Sequence, residues 1–192
     1  MGVREDKKRH TRERLERAAL DLFARRGYER TTVEDVAARA GVSARTAFRY
    51  FPTKADLVFG DAEVDLLELR RQLAAQDPAL PAFEATRAAL ANFSRRIGTP
   101  INAERSRVIA TSPTLGARAL EGREVWAGEV AAELAKRRGL AGPDAHARLG
   151  GLLVVAILVS AVREWSGAGG HPHRLATAVD LMASAAAEIL KA

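Results

Sequence analysis

Cysteine is absent from the 192 residues, which rules out a disulfide framework and a thiolate zinc site and suits a reducing cytoplasm. Aromatic residues make up 5% of the chain, and long runs of alternating β-branched residues are missing. With Ala, Leu, Arg and Glu abundant, that balance points to an all-α fold. No Gly-rich phosphate loop, G-x-S-x-G elbow or H-E-x-x-H sequence occurs, and no pair of carboxylates stands apart from solvated helix faces. A small helical enzyme is therefore the weakest functional reading. His171 and His173 lie close in sequence, but without a neighbouring carboxylate or thiol they give no zinc signature. No cofactor and no metal is expected. The N-terminus lacks an apolar leader and is charged from Arg4 onward. The longest apolar run, residues 149–162, has 14 residues interrupted by two Gly and one Ser. A membrane span needs about 20, so a buried helix is expected, in a protein with no membrane partner.

The charge that is present is placed unevenly. Residues 1–60 carry 14 Lys+Arg against 9 Asp+Glu, a net of +5. Residues 61–192 carry 16 against 15, a net of +1. A cationic end of this kind suits a polyanion such as duplex DNA. Residues 1–10, with Lys7, Lys8 and Arg9, are expected to form a frayed polar tail.

Residues 31–54, TTVEDVAARAGVSARTAFRYFPTK, organise the rest. Thr31 or Thr32, with Glu34 or Asp35 three residues on, offers a capping box. Val36, Ala37 and Ala40 share one helical face, and Gly41 can close the helix in a left-handed conformation. Ser43 caps a second helix over 44–50, with Ala47 and Phe51 inward and Phe48 at the edge of that face. Pro52 stops it, and Thr53 with Asp56 opens the next. Before this unit, residues 11–26 carry Leu15, Ala18, Ala19, Leu22 and Phe23 at helical period. A helix, a Gly-containing turn and a second helix with a cationic outer face form the helix-turn-helix that enters a major groove.

The run 22–57 closely resembles the N-terminal DNA-binding domain of the TetR-type repressors. The matching residues are LF-x-x-x-GY, TT-V-x-D-VA-x-x-AGVS and F-R-YF-P-x-K-x-x-L. The resemblance implies an all-helical homodimer. Residues 1–53 would bind a palindromic double-stranded operator, and residues 54–192 would dimerise and hold a small-molecule inducer. It implies a phosphate contact for Thr32 and base reading by Ser43, Ala44, Arg45 and Thr46. Arg45, whose fork fits O6 and N7, is the candidate for a guanine. Arg49 and Tyr50 match positions that touch bases or phosphates, and Lys54 matches a phosphate contact. Many members carry Tyr where this chain has Phe48, so that hydroxyl is lost here.

Residues 54–75 are expected as one long helix joining the two domains, which in the family swings the reading heads. Further helices are expected at 82–98, 102–111, 114–138, 144–165 and 171–190. The segment LGGLLVVAILVSAVREW is apolar nearly all round and must be covered on both sides. Gly150, Gly151, Ala156, Ser160 and Ala161 would let a partner helix come close. By resemblance, the last two helices pair with their copies in a four-helix bundle. The interface candidates are Leu152, Val155, Ile157, Val159, Leu175, Val179, Met182 and Ala186. Candidate pocket residues are Phe59, Leu67, Phe93, Ile97, Ile109, Trp126, Val130 and Leu153, whose character suits a hydrophobic or amphipathic inducer. Arg87, Arg105 and Arg107 would neutralise an anionic head. The FRYFPTKADLVF arrangement with an Ala- and Arg-rich C-terminal part is similar to an actinobacterial subgroup, some of whose members respond to acyl-thioesters. The competing reading is an architectural DNA-binding protein without a ligand, which a ligand titration of operator affinity separates.

Overall fold

The computed structural model describes residues 3–172 and 174–189; His173, and with it the His pair, lies outside the described residues. Among them the chain is all-helical, with ten helices and no strand. Helix α1 (Val3–Arg26) starts well before the expected tail ends. The correction has a local cause: Arg9 lies 3.1 Å from Asp6 and 3.8 Å from Glu13, and Glu5 and Asp6 sit at the positive end of the helix dipole. Gly27 ends α1 at φ +87°, where a side chain would be strained.

Helices α2 (Val33–Arg39) and α3 (Ala44–Tyr50) follow as the capping signals dictate. Thr53 and Asp56 cap each other, the Thr53 amide donating to the Asp56 carboxylate at 2.8 Å. The single helix expected over 54–75 is in fact two, α4 (Asp56–Phe59) and α5 (Ala62–Ala74), separated at Gly60 and Asp61. Asp61 leaves the helical path to accept from Arg12 of α1 at 2.9 Å. That bond ties the break to α1.

The next helices are α6 (Ala82–Ile97), α7 (Pro100–Thr111), α8 (Pro113–Arg137), α9 (Ala145–Gly167) and α10 (Arg174–Ile189). Thr99, Ser112 and Asp144 each accept a backbone N–H as the side-chain cap of α7, α8 and α9.

Two apolar clusters organise these elements. The first is built from α1 to α4, with Leu15, Phe23, Val36, Ala47, Phe51, Leu57 and Val58 fully buried. It therefore runs past residue 53, and it also takes in Val108 of α7 and Leu115 of α8. The second joins α5 to α10 around Leu69, Leu90, Phe93, Val130, Ala161, Leu175 and Val179. Helix α7 thus lies between the two.

By length and composition α9 could cross a membrane. Here it is the centre of the second cluster, with Val154, Leu158, Ala161 and Trp165 buried against α8 and α10. A Cβ on Gly151 would come 2.2 Å from the Ala127 carbonyl oxygen, and one on Gly150 would come 2.8 Å from Leu134. The glycines thus admit α8 of the same chain, not a partner helix, and Ala161 is fully buried.

Candidate nucleic-acid interface

Both ends of α2, and the turn that leads into α3, are fixed by groups the sequence places within a few residues. The Thr32 hydroxyl accepts from the Asp35 amide at 3.1 Å, and the Asp35 carboxylate accepts from the Thr32 amide at 2.9 Å. The Thr32 hydroxyl also donates to that carboxylate at 2.8 Å. These bonds hold the Asp35 carboxyl below its ordinary range, the Thr32 amide contributing most. At the other end, the Val42 amide reaches back to Ala37 O at 3.0 Å, and Gly41 adopts φ +65°. Arg14 of α1 donates to the Ala40 carbonyl, tying the turn to the first helix. Ser43 caps α3, accepting from the Thr46 amide at 3.2 Å, and its hydroxyl lies 2.9 Å from that of Thr46.

With Ala47 and Phe51 locked in the first core, α3 presents its other face to solvent. Arg45 and Arg49 are exposed, Ser43 is exposed, and Ala44, Thr46 and Tyr50 are half-buried. Arg45 is exposed, so its guanidinium donors face solvent. The Arg49 guanidinium rests 5.6 Å from the Tyr50 ring centroid, an arrangement that orients it without neutralising it. Phe48 is 42% exposed, more open than an edge-of-core residue and without a polar handle.

Lys54 is placed differently from the sequence expectation. Its ammonium donates to Tyr28 O at 2.9 Å and Thr31 O at 3.0 Å and stands 4.2 Å from the Tyr28 ring centroid. Two of its three donors therefore pin the α1–α2 loop to the start of α4, leaving one for a phosphate.

The pocket candidates do not converge. Phe93 and Val130 are fully buried in the second core, where Trp126 packs edge-on to Phe93 at 6.1 Å. Ile97 and Leu153 pack at the margin of that core. Phe59 and Ile109 instead belong to the first core, and Leu67 is 47% exposed. Of the three candidate anion-binding arginines, Arg87 pairs with Glu84 and Asp180, and Arg107 donates to Ser166 O at 3.0 Å.

The interface candidates also divide. Val155, Ile157, Leu175 and Val179 are buried inside their own chain, so the expectation that they meet a partner is corrected. Met182 and Ala186 pack half-buried against the same core, and Val159 is half-buried. Leu152 is 57% exposed. The open face of α9 runs through Leu149, Leu152, Ala156 and Ser160, and that of α10 through Thr177, Leu181 and Ala185. Leu149 and Leu181, at 62% and 61% exposed, were missed. Their spacing is visible in the sequence, but so are the other stripes of these all-apolar helices.

Two contacts join the reading head to the helices behind it. Ser112, the cap of α8, donates to the Glu29 carboxylate at 2.7 Å, which holds that carboxyl below its usual range. Arg118 of α8 lies 3.3 Å from Asp56 of α4. On the opposite side, Arg12, Glu16, Asp61 and Arg105 form an ion cluster shared by α1, the α4–α5 break and α7.

Comparison with known proteins accords with this geometry. Residues 16–59 match the family described as bacterial regulatory proteins, tetR family, and residues 80–190 match the MftR C-terminal domain. The chain is 30% identical over 149 residues to a Mycobacterium tuberculosis protein described as the mycofactocin biosynthesis transcriptional regulator MftR, covering 77% of this chain and 75% of that one. It is 32% identical over 147 residues to the HTH-type transcriptional regulator TcmR of Streptomyces glaucescens, covering 72% of this chain and 65% of TcmR. In fold it resembles SmeT, solved as a triclosan complex, at TM-score 0.64, 18% identity and coverage of 92% and 91%. It also resembles NalD, the secondary repressor of the MexAB-OprM multidrug efflux pump in Pseudomonas aeruginosa, at TM-score 0.63, 14% identity and coverage of 92% and 95%. A helix-turn-helix with an open cationic face, joined to a helical domain matched over most of its length, leaves one assignment: this chain is a DNA-binding transcriptional regulator and belongs to the TetR family.

Proposed function

We propose that the protein works as a cytoplasmic homodimeric repressor of a palindromic operator, released by a small hydrophobic or amphipathic inducer. The observation that carries this reading is the pairing of two open faces on one chain. One is the α3 face with Arg45 and Arg49; the other is the apolar face of α9 and α10 with Leu149, Leu152 and Leu181. Exposed apolar area on two helices that pack against each other invites a second copy, which would cover it. Twofold pairing there presents two α3 helices at once, and they must stand about 34–36 Å apart to enter successive major grooves.

Within this proposal, Ser43, Ala44, Arg45, Thr46, Arg49 and Tyr50 meet the bases and adjacent phosphates. The exposed N-terminus of α2 at Thr32 meets a phosphate through backbone N–H groups, the hydroxyl being held by Asp35. An inducer acts only through its different affinity for the two dimer shapes. That SmeT, of the same fold, is described with triclosan supports a fold able to admit apolar small molecules.

The test joins sedimentation with gel shift on the inverted repeat nearest the coding region. A dimer that shifts the repeat at low salt, and ignores a scrambled copy, supports the reading. A monomer, or equal binding to both duplexes, refutes it.

A further inference from the structure

Phe48 is the exposed aromatic side chain of this protein; the other Phe, Tyr and Trp residues are buried or half-buried. A lone apolar group at a surface is ordinary, so exposure by itself marks no site. The placement of Phe48 is what carries meaning. The exposed side chains of α3 are Arg45, Phe48 and Arg49, which stand at i, i+3 and i+4. That spacing sets Phe48 and Arg49 both beside Arg45, with Cβ atoms about 5–6 Å from it. Ala47 and Phe51 hold the helix from its buried side. Tyr50 packs on the first core, and Phe48 is not among the side chains that do so. The Arg49 guanidinium rests over the Tyr50 ring, not over Phe48.

Two guanidinium groups bring this open ring against a polyanion. In a major groove the base edges present hydrogen-bonding atoms, and the apolar group among them is the 5-methyl of thymine. A phenyl ring has no hydroxyl to donate to a phosphate and no atom that reads a donor or an acceptor. Its complement in the groove is therefore that methyl.

We propose that Phe48 is a specificity-determining residue whose ring covers the 5-methyl of one thymine in each half-site. This rests on the reading above that α3 enters a major groove of the operator. A Tyr at this position could give its hydroxyl to a phosphate; the Phe of this chain serves base reading instead. The i, i+3 spacing from Arg45, set against a rise of about 3.4 Å per base pair, puts the thymine one or two base pairs from the pair that Arg45 reads.

The test uses duplexes that the full chain selects from a random pool. Each thymine of the selected site is replaced singly by uracil, which pairs with adenine in the same way and lacks only the methyl. Burying one methyl-sized group corresponds to about a fourfold change in affinity. At one thymine of each half-site, uracil is expected to weaken binding of the parent about fourfold, and about fifteenfold when both half-sites carry it. Phe48→Ala should bind the thymine and uracil duplexes alike, and it should melt close to the parent because the ring lies outside the core. Uracil that costs nothing at every thymine overturns the proposal with the parent protein alone. A penalty as large in Phe48→Ala as in the parent assigns the methyl to another side chain and also overturns it. A pool that yields no preferred duplex refutes the operator reading itself and takes this proposal with it.

Discussion

Replacing Lys54 by Met separates a loop pin from a phosphate contact, because the two roles predict different losses. Met keeps most of the stem and removes the ammonium. The parent ammonium donates to Tyr28 O at 2.9 Å and Thr31 O at 3.0 Å, and Thr31 and Tyr28 are both buried. Charge-assisted hydrogen bonds contribute about 1.5–3 kcal/mol each. Lys54 is only half-buried and water can re-solvate part of what it leaves, so the lower end applies. The position over the Tyr28 ring adds about 0.5–1 kcal/mol. A loss of about 3.5–4 kcal/mol is expected, which for a chain of this size lowers Tm by about 7–16 °C. Circular dichroism melts with a matched denaturant titration measure it. Operator affinity, taken at a temperature where both proteins are folded, should fall modestly with little change in salt slope. A variant as stable as the parent, with the slope of log affinity against log salt reduced by about one unit, refutes the pin and makes Lys54 a phosphate contact.

Three further outcomes follow from the same geometry. Arg45→Ala should weaken the cognate site by about 1–3 kcal/mol and relax preference at one base pair, read by gel shift on a substituted operator set; equal loss on random DNA would make Arg45 a phosphate contact. Leu152→Asp, on the open face, should give a folded monomer by sedimentation, whereas Ile157→Asp, on the buried face, should give an unfolded or aggregated chain; a folded monomer from Ile157→Asp would put the interface elsewhere. The Glu29 carboxyl is lowered chiefly by the Ser112 hydroxyl, so its contribution is present above the ordinary carboxyl value and is lost as pH falls through the lower folded one. Melts of Glu29→Gln and the parent should therefore converge in acid, and a gap that stays constant from neutral pH to about pH 3 would remove Glu29 from the acid response.

The helix-turn-helix was legible because its determinants are local. Thr32 with Asp35, Gly41 and Ser43 each act within three or four residues, and the structure uses every one. Lys54 was not legible, because its acceptors lie 26 and 23 residues away and are backbone carbonyls that carry no side-chain signal. The open face of α9 was illegible for another reason. A helix apolar all round has several stripes of equal hydrophobicity, and only the packing of α8 and α10 decides that Leu149 and Leu152 stay outside while Val154, Val155 and Leu158 go in. The pocket candidates were divided for a similar reason: apolar character cannot say that Phe59 and Ile109 pack on the first core while Phe93, Ile97, Trp126, Val130 and Leu153 gather in the second.

The break between α4 and α5 was read through, although Gly60 and Asp61 mark it, because helical periodicity continues on both sides. It lies between the two anchorages of the connecting element, α4 being held in the first core through Leu57 and Val58 and α5 in the second through Leu69 and Leu73. Gly60→Ala tests whether that break is held by contacts or only permitted by glycine. Helix propensity alone favours Ala by up to about 1 kcal/mol, and the backbone at φ −61° would accept it. The neighbours oppose it: the added Cβ would stand 2.6 Å from Asp56 O and 2.8 Å from Arg12 Nη2. Relieving both contacts must move α4 or displace Arg12 from Asp61, so a net loss of about 1–3 kcal/mol is expected, as for overpacking elsewhere. Arg12 also reaches Glu16, so the same substitution should alter the operator affinity of the folded protein. Should Gly60→Ala raise Tm and leave DNA binding untouched, the ion cluster does not hold the break, and the two units communicate by the Glu29–Ser112 and Asp56–Arg118 side instead.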